Sequence, residues 1–225
     1  MGTDIHIAIE IKKGDTWELH DWQEPYNTGE THPDGSPKRD YHEMMLDPFC
    51  IGRNYNLFAI LADVRNGVGF AGTDTGDGFV PIANPRGIPV DSVSIQEVDE
   101  EGWGHDFSWL GLDELLNYDW HGQTTKHRGV VDVLEYFYFK EHGQPRSWSG
   151  GGSMEIISNE EMDKRYDAMV EGLRDGPVPF SPQTVVEWEE SYYESCKFFV
   201  DKTIPALQAL SDNPANVRIL FFFDS

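Results

Sequence analysis

Thr3-Asp4-Ile5-His6-Ile7-Ala8-Ile9-Glu10-Ile11 decides how the rest of the chain is read. Its odd positions after Thr3 are all isoleucine, and its even positions carry Asp4, His6, Ala8 and Glu10. Side chains of a strand alternate between faces, so this stretch has one apolar face for a core and one ionisable face for solvent or a site. Lys13-Gly14-Asp15 follows as a turn, and Thr16-Trp17-Glu18-Leu19-His20 alternates again, which makes a hairpin. A three-residue loop at 13–15 sets Ile11 opposite Trp17 and Ile9 opposite Leu19. A two-residue loop sets Glu10 against Leu19 and mixes the faces, so the three-residue register is expected. The polar face then gathers Asp4, His6, Glu10, Glu18 and His20, with Glu10 facing Glu18.

Asn54 is a good N-cap for a helix carrying Tyr55, Leu57, Phe58, Ile60, Leu61 and Val64, apolar around most of its circumference and ended by Asn66-Gly67. Five glycines in the twelve positions 67–78 predict an irregular loop whose amides can approach a ligand. Its Asp-Thr-Gly-Asp-Gly stretch lacks the later glutamate of a calcium loop. A short helix is expected from about Ser92 to Glu100. His105–Leu110 reads as a strand entering a helix over Leu112–Trp120, and Val130–Lys140 as a further helix. Ser158 and Glu161 form a capping box for a helix reaching about Leu173. Val185–Trp188 reads as a strand, and Ser191–Leu210 as a long helix kinked at Pro205. Val217-Arg218-Ile219-Leu220-Phe221-Phe222-Phe223 has the near-continuous apolar character of a strand buried on both faces.

These elements add up to one α/β or α+β domain over residues 1–225, a mixed β-sheet with packed helices and long loop insertions. The stretch 27–41 reads as an exposed excursion, and Ser149-Gly150-Gly151-Gly152-Ser153 as a flexible break that is either a loop or a domain joint. With 39% hydrophobic and 13% aromatic residues, 225 residues can fill a sizeable core. No apolar run is long enough for a membrane span and no secretory leader is seen, so a cytoplasmic protein is expected. Cys50 and Cys196 are too few for a disulfide framework. Seventeen basic against 40 acidic residues give a formal charge of −23, which repels phosphate backbones and argues against direct nucleic-acid binding. The same charge suits solubility or, more sharply, an acidic interaction protein that imitates DNA to occupy a host enzyme's groove.

Three constellations can carry chemistry. Asp4 and His6, at i and i+2 on one strand face, can jointly hold a divalent metal, with His20, Glu10 or Glu18 completing the set; zinc, manganese, magnesium and iron all suit such donors. The plainer alternative is a half-solvated strand face, or a pairing of Asp4 and His6 with other side chains to hold a terminus. Between Ile51 and Pro89 the basic residues are Arg53, Arg65 and Arg86, each beside a helix end or a Gly/Pro turn such as Arg86-Gly87. With Asn54 at a helix N-terminus, they form a candidate clamp for a phosphate- or carboxylate-bearing small molecule. The alternative is ion pairing with Asp63, Asp74 or Asp91. In His105-Asp106-Phe107-Ser108-Trp109, His105 can act as acid or base and Trp109 can stack on a base, although a tryptophan so placed is more often core than platform. Walker, Rossmann and His-Glu-x-x-His signatures are absent from the sequence.

The start Thr3–His6, the block Arg53–Gly67, Pro85–Pro89, His105–Leu110 and the ending Val217–Asp224 together resemble a family of uncharacterised proteins carried by bacteriophages and prophages. Its most specific part is Arg53-Asn54-Tyr55-Asn56-Leu57-Phe58-Ala59-Ile60-Leu61-Ala62-Asp63-Val64-Arg65-Asn66-Gly67. The resemblance implies a viral setting in a bacterial host cytoplasm and a role against host metabolism or defence, without a mechanism. The expectation is a pocket with Asp4, His6 and His105 on one wall and Arg53, Asn54, Arg65, Arg86, Gly87 and Trp109 on the other. Its ligand would be a nucleotide or nucleotide-derived signal. Binding alone and metal-dependent hydrolysis of a phosphate ester or glycosidic bond both remain open, as does the oligomeric state.

Overall fold

The fold is α+β. A computed structural model describes residues 2–23, 47–69, 72–95, 104–151, 155–172 and 182–224. The described residues group into two compact units: residues 1–66, 79–123 and 192–225 in the first, and residues 67–78 and 124–191 in the second. Both named sheets are antiparallel, so the mixed sheet expected from sequence resolves into two antiparallel ones.

The first unit holds a four-stranded sheet of order β2-β1-β6-β3, built from β1 (Asp4–Lys13), β2 (Thr16–Gln23), β3 (Gly104–Gly111) and β6 (Val217–Asp224). The two strands read most clearly from sequence are thus its central pair, with Ile7 opposite Phe221 and Glu10 opposite Arg218. Ile5, Ile7 and Ile9 join Ile219, Phe221 and Phe223 on one face, against Leu57, Phe58 and Leu61 of the helix α1 (Tyr55–Ala62). The opposite face is also covered: Ala8 and Leu220 are buried with Ile95, and Phe107, Trp109 and Phe222 pack there.

That second covered face overturns the expected hairpin register. Lys13 pairs with Thr16 across the two-residue loop Gly14-Asp15, Glu10 pairs with Leu19, and a bulge follows at His20. Gly14, at φ +62, supplies the positive φ at the first loop position that such a tight turn requires. Faces need not match by polarity here, because Glu10 is fully buried and Leu19 is 49% exposed. Glu18 lies opposite Ile11, so no Glu10–Glu18 repulsion arises.

Helix α1 starts as expected: the Asn54 side chain accepts from the amides of Asn56 and Leu57, at 3.1 and 3.2 Å, and donates to the Ser195 carbonyl at 3.0 Å. We expect Asn54→Ala to cost about 0.5–2 kcal/mol, read as a lower urea midpoint. A variant within about 0.3 kcal/mol of the parent would show that the cap does not contribute. The helix ends at Asp63, earlier than Asn66-Gly67, because Asp63 takes a left-handed conformation with its amide on the Ala59 carbonyl at 2.9 Å. The helix expected over 191–210 is divided: α5 (Tyr192–Ser195), a π-helical turn (Phe199–Thr203) and α6 (Ile204–Gln208). Pro205 lacks an amide and crowds the preceding turn, and the wider turn, with the Ile204 amide on the Phe199 carbonyl, absorbs it. β3 leads directly into α2 (Leu112–Asn117), as read.

The second unit pairs β4 (Thr124–Val131) with β5 (Thr184–Ser191) and adds α3 (Val133–His142) and α4 (Asn159–Gly172). Its core is Val131, Val133, Tyr136, Met162, Val186 and Trp188. The helix expected over Val130–Lys140 begins only at Val133, because Val130 and Val131 end the strand β4, which the sequence reading did not include, whereas the Ser158 cap on the Glu161 amide is present at 3.2 Å. The glycine-rich loop serves β4: the Thr75 carbonyl accepts from Arg128 at 2.9 Å, and the Asp77 amide donates to the Lys126 carbonyl at 2.9 Å. Gly76, at φ +121, sits so close to the Lys126 carbonyl that a Cβ would collide with it. Ser149 bridges to Val130 inside this unit.

The excursion at 27–41, Gly152, Ser153 and the second half of the Ser92–Glu100 helix lie outside the described residues. Ser92 to Ile95 is not helical. Among the described residues, no helix is long and apolar enough to cross a membrane.

Candidate functional site

The residues expected to form one pocket are distributed over several separate pairings within the first unit. Asp4, on β1, is buried and receives Arg53 in a two-point pair, Nε to Oδ1 at 2.8 Å and Nη2 to Oδ2 at 2.5 Å. Its own amide donates to Asp224 Oδ1 at 3.2 Å. His6 turns to the end of β6, with Nε2 at 3.1 Å from Asp224 Oδ2 and its ring stacked on Phe222 at 4.5 Å. The Asp4 carboxylate is thus held by Arg53, whereas the His6 ring and the Asp4 backbone amide both engage Asp224. His20 lies exposed at the β1–β2 bulge, with its ring edge-on to Phe49 at 6.2 Å. Among the described residues, no three His, Cys, Asp or Glu side chains come together to hold a metal ion.

Nor do the arginines converge. Arg86 donates from Nη1 and Nη2 to the two oxygens of Glu114 at 2.9 and 2.6 Å, and lies over the Trp109 ring at 5.2 Å. The hydrogen bond to Glu114 holds the Arg86 guanidinium above its ordinary range, and the same bond holds the Glu114 carboxyl below its own. Gly87, at φ +75, directs its amide to the Phe107 carbonyl at 2.8 Å and so fixes the 80s segment along β3. Asn54 is the helix cap described above. The ion-pair alternative holds for Arg53 and Arg86, with Asp4 and Glu114 as partners instead of the aspartates expected.

Arg65 and His105 do meet. They line a cleft of about 490 Å³ together with Ala62, Asp63, Val64, Asn84, Pro85 and Asp106. One wall is the end of α1. Asp63 at φ 61 and Arg65 at φ 56 turn the chain back on itself, while Asn66 joins the Asp63 carboxylate at 2.6 Å to the Phe79 carbonyl at 2.8 Å. The Arg65 guanidinium donates from Nε to Thr3 Oγ1 at 2.8 Å and packs over Tyr55 at 5.7 Å.

The other wall is the start of β3. Neighbours on a regular strand point to opposite faces, but the β3–β6 register shifts between His105 and Ser108, and Asp106 there adopts φ 50. The bulge brings the two side chains together, with His105 Nδ1 at 2.8 Å from Asp106 Oδ2. Asp63, Arg65 and Asp106 are the non-glycine residues with positive φ among those described, and all three line this cleft. Sequence reasoning did not place Asp63, Asn84 or Asp106 among the ligand-binding residues, and offered Asp63 only as an ion-pair partner. Aspartate and asparagine tolerate the left-handed region better than most residues, which is the only local signal they carry. The chain matches no protein-family model, no curated protein and no solved structure in the comparisons made.

Proposed function

We propose that the chain binds a small phosphate-bearing ligand, a nucleotide or a nucleotide-derived signal, in the cleft between the end of α1 and the start of β3. The observation that carries this reading is the gathering of Asp63, Arg65 and Asp106, each with positive φ, around one cleft that also holds His105. Strained backbone of this kind costs about 1–3 kcal/mol per residue and concentrates at ligand sites. The cleft volume falls in the usual range for small-molecule pockets, roughly 300–1,000 Å³. A guanidinium offers planar paired donors to phosphate oxygens, and Asn84 adds an amide group on the same cleft. The phage-like block Arg53–Gly67 contains Asp63 and Arg65, so a ligand that signals in host defence is the setting we favour for this activity.

Calorimetric titration with inorganic phosphate, mononucleotides and cyclic nucleotides tests the reading. Arg65→Ala should weaken the best ligand by roughly 10-fold or more, the equivalent of one hydrogen bond to a charged group. Thr3→Val, which removes the hydroxyl that Arg65 contacts but keeps the guanidinium, should retain affinity. Arg86→Ala should also retain it, because Arg86 is paired with Glu114. Equal affinity in the parent and Arg65→Ala, or no binding of any phosphate compound, would overturn the proposal.

A further inference from the structure

We infer that the cleft hydrolyses phosphodiesters, with His105 as general base and Asp106 as its positioning residue; this rests on the binding reading above. The argument starts from the backbone. A regular strand would send His105 and Asp106 to opposite sides of the sheet, and the bulge with its left-handed aspartate puts them on one side, 2.8 Å apart. An imidazole tied to a carboxylate through Nδ1 is fixed in tautomer and orientation, and Nε2 becomes the nitrogen that exchanges a proton. The pair lines the same cleft as Arg65.

Charge selects the substrate class. Among the described residues, the ionisable groups on the cleft are Asp63, Arg65, His105 and Asp106, and Asp224 lies across the sheet from Gly104. With His105 neutral, as a base must be, two carboxylates face one guanidinium inside the cleft. A phosphomonoester dianion meets more repulsion there than a diester, which carries a single negative charge. The diester class includes cyclic nucleotides, which narrows the ligand proposed above.

In the reaction, His105 Nε2 takes a proton from water while the water oxygen forms a bond to phosphorus. The P–O bond to one alcohol breaks, its electron pair leaves on the alkoxide oxygen, and that oxygen takes a proton from solvent. The imidazolium then returns its proton to solvent. The products are a phosphate monoester and an alcohol, and the Arg65 guanidinium offsets charge developing on the non-bridging oxygens.

The full-length chain is assayed with bis(4-nitrophenyl) phosphate in the presence of a chelator, and binding is followed separately by calorimetry with cyclic AMP. Turnover of the diester is expected, with His105→Ala lowering kcat/KM by roughly 100-fold or more, the usual contribution of a general base. The affinity of His105→Ala for cyclic AMP should change less than about threefold, since the base adds little to ground-state binding. Asp106→Asn keeps a side chain that accepts the left-handed region. It should lower kcat at nearly unchanged KM, because an imidazole without its carboxylate loses its fixed tautomer and orientation. A merely structural aspartate would leave kcat in place. Binding of cyclic AMP without turnover of the diester, or turnover unchanged in His105→Ala, overturns the catalytic inference and leaves the binding reading standing. Absence of any phosphate binding removes both.

Discussion

Replacing Glu10 with alanine is expected to lower the unfolding free energy by about 3–5 kcal/mol, the cost of breaking a buried ion pair and leaving the amides that donated to it without an acceptor. Glu10 is 0% exposed and lies directly opposite Arg218 in the central strand pair. Its Oε2 accepts from Arg218 Nε and Nη2, at 2.8 and 2.7 Å. Its Oε1 accepts from the Val93 and Ser94 amides, both at 2.9 Å, and from the Ser94 hydroxyl at 2.6 Å. The Arg218 side chain is 5% exposed, with Asp91 as a second carboxylate at 2.8 Å and the Trp17 ring 3.8 Å away. Alanine at position 10 removes the carboxylate while the guanidinium and two amides stay buried. Urea unfolding reads this as a lower midpoint at unchanged slope. The double variant Glu10→Ala/Arg218→Met should lose clearly less than the sum of the two single changes. Additive single losses, or a Glu10→Ala loss below about 1 kcal/mol, would mean that the ion pair does not hold the sheet.

The same network sets an acid limit on stability. Burial alone pushes the Glu10 carboxyl up, but hydrogen bonds from Ser94, Arg218 and the Val93 amide together bring it below the ordinary range. The Arg218 hydrogen bond likewise lowers Asp91, and the Arg86 hydrogen bond lowers Glu114. A folded-state value below the unfolded one gives stability that is fully present above the ordinary carboxylate range and lost as pH falls through the folded value. Stability should therefore hold through neutral pH and fall below about pH 4. In Glu10→Ala that fall should be shallower, since one of the linked protons is gone.

How much of this was legible depends on how local the cause is. The alternation of β1, the apolar run of β6, the Asn54 cap and the passage from β3 into α2 are written in neighbouring residues, and they were read. The hairpin register was not, because the residue that makes Glu10 at home in the interior is Arg218, 208 positions away. A strand covered on both faces no longer signals its register by polarity. The arginine clamp failed for a related reason. Composition shows that Arg53 and Arg86 have many carboxylates to choose from, but not that Asp4 and Glu114 reach them first. The cleft was half visible: Arg65 and His105 were named, whereas the sign of φ at Asp63, Arg65 and Asp106 is set by chain reversals that side-chain patterns do not encode.

Phe58→Ala should also cost about 3–5 kcal/mol, as expected for a large aromatic deleted from a packed core. Phe58 is fully buried, its ring 5.1 Å from Phe223 of β6 and 5.6 Å from Tyr55. It therefore joins α1 to the central strand, and alanine leaves a cavity that neighbouring rings fill only in part. Phe58→Leu retains most of the volume and should lose roughly 1–2 kcal/mol. The consequence reaches the cleft, because the Phe58 carbonyl receives the Val64 amide at 3.4 Å where the chain turns from Asp63 into Arg65. A helix end that shifts to fill a void carries Arg65 with it, and a charge-assisted contact tolerates little displacement. Folded Phe58→Ala should accordingly bind a phosphate ligand more weakly than the parent, and Phe58→Leu about as well, with thermal unfolding and calorimetry run on the same preparations. Equal affinity in all three proteins, with Phe58→Ala clearly destabilised, would show that α1 packs the core without setting the geometry of the cleft.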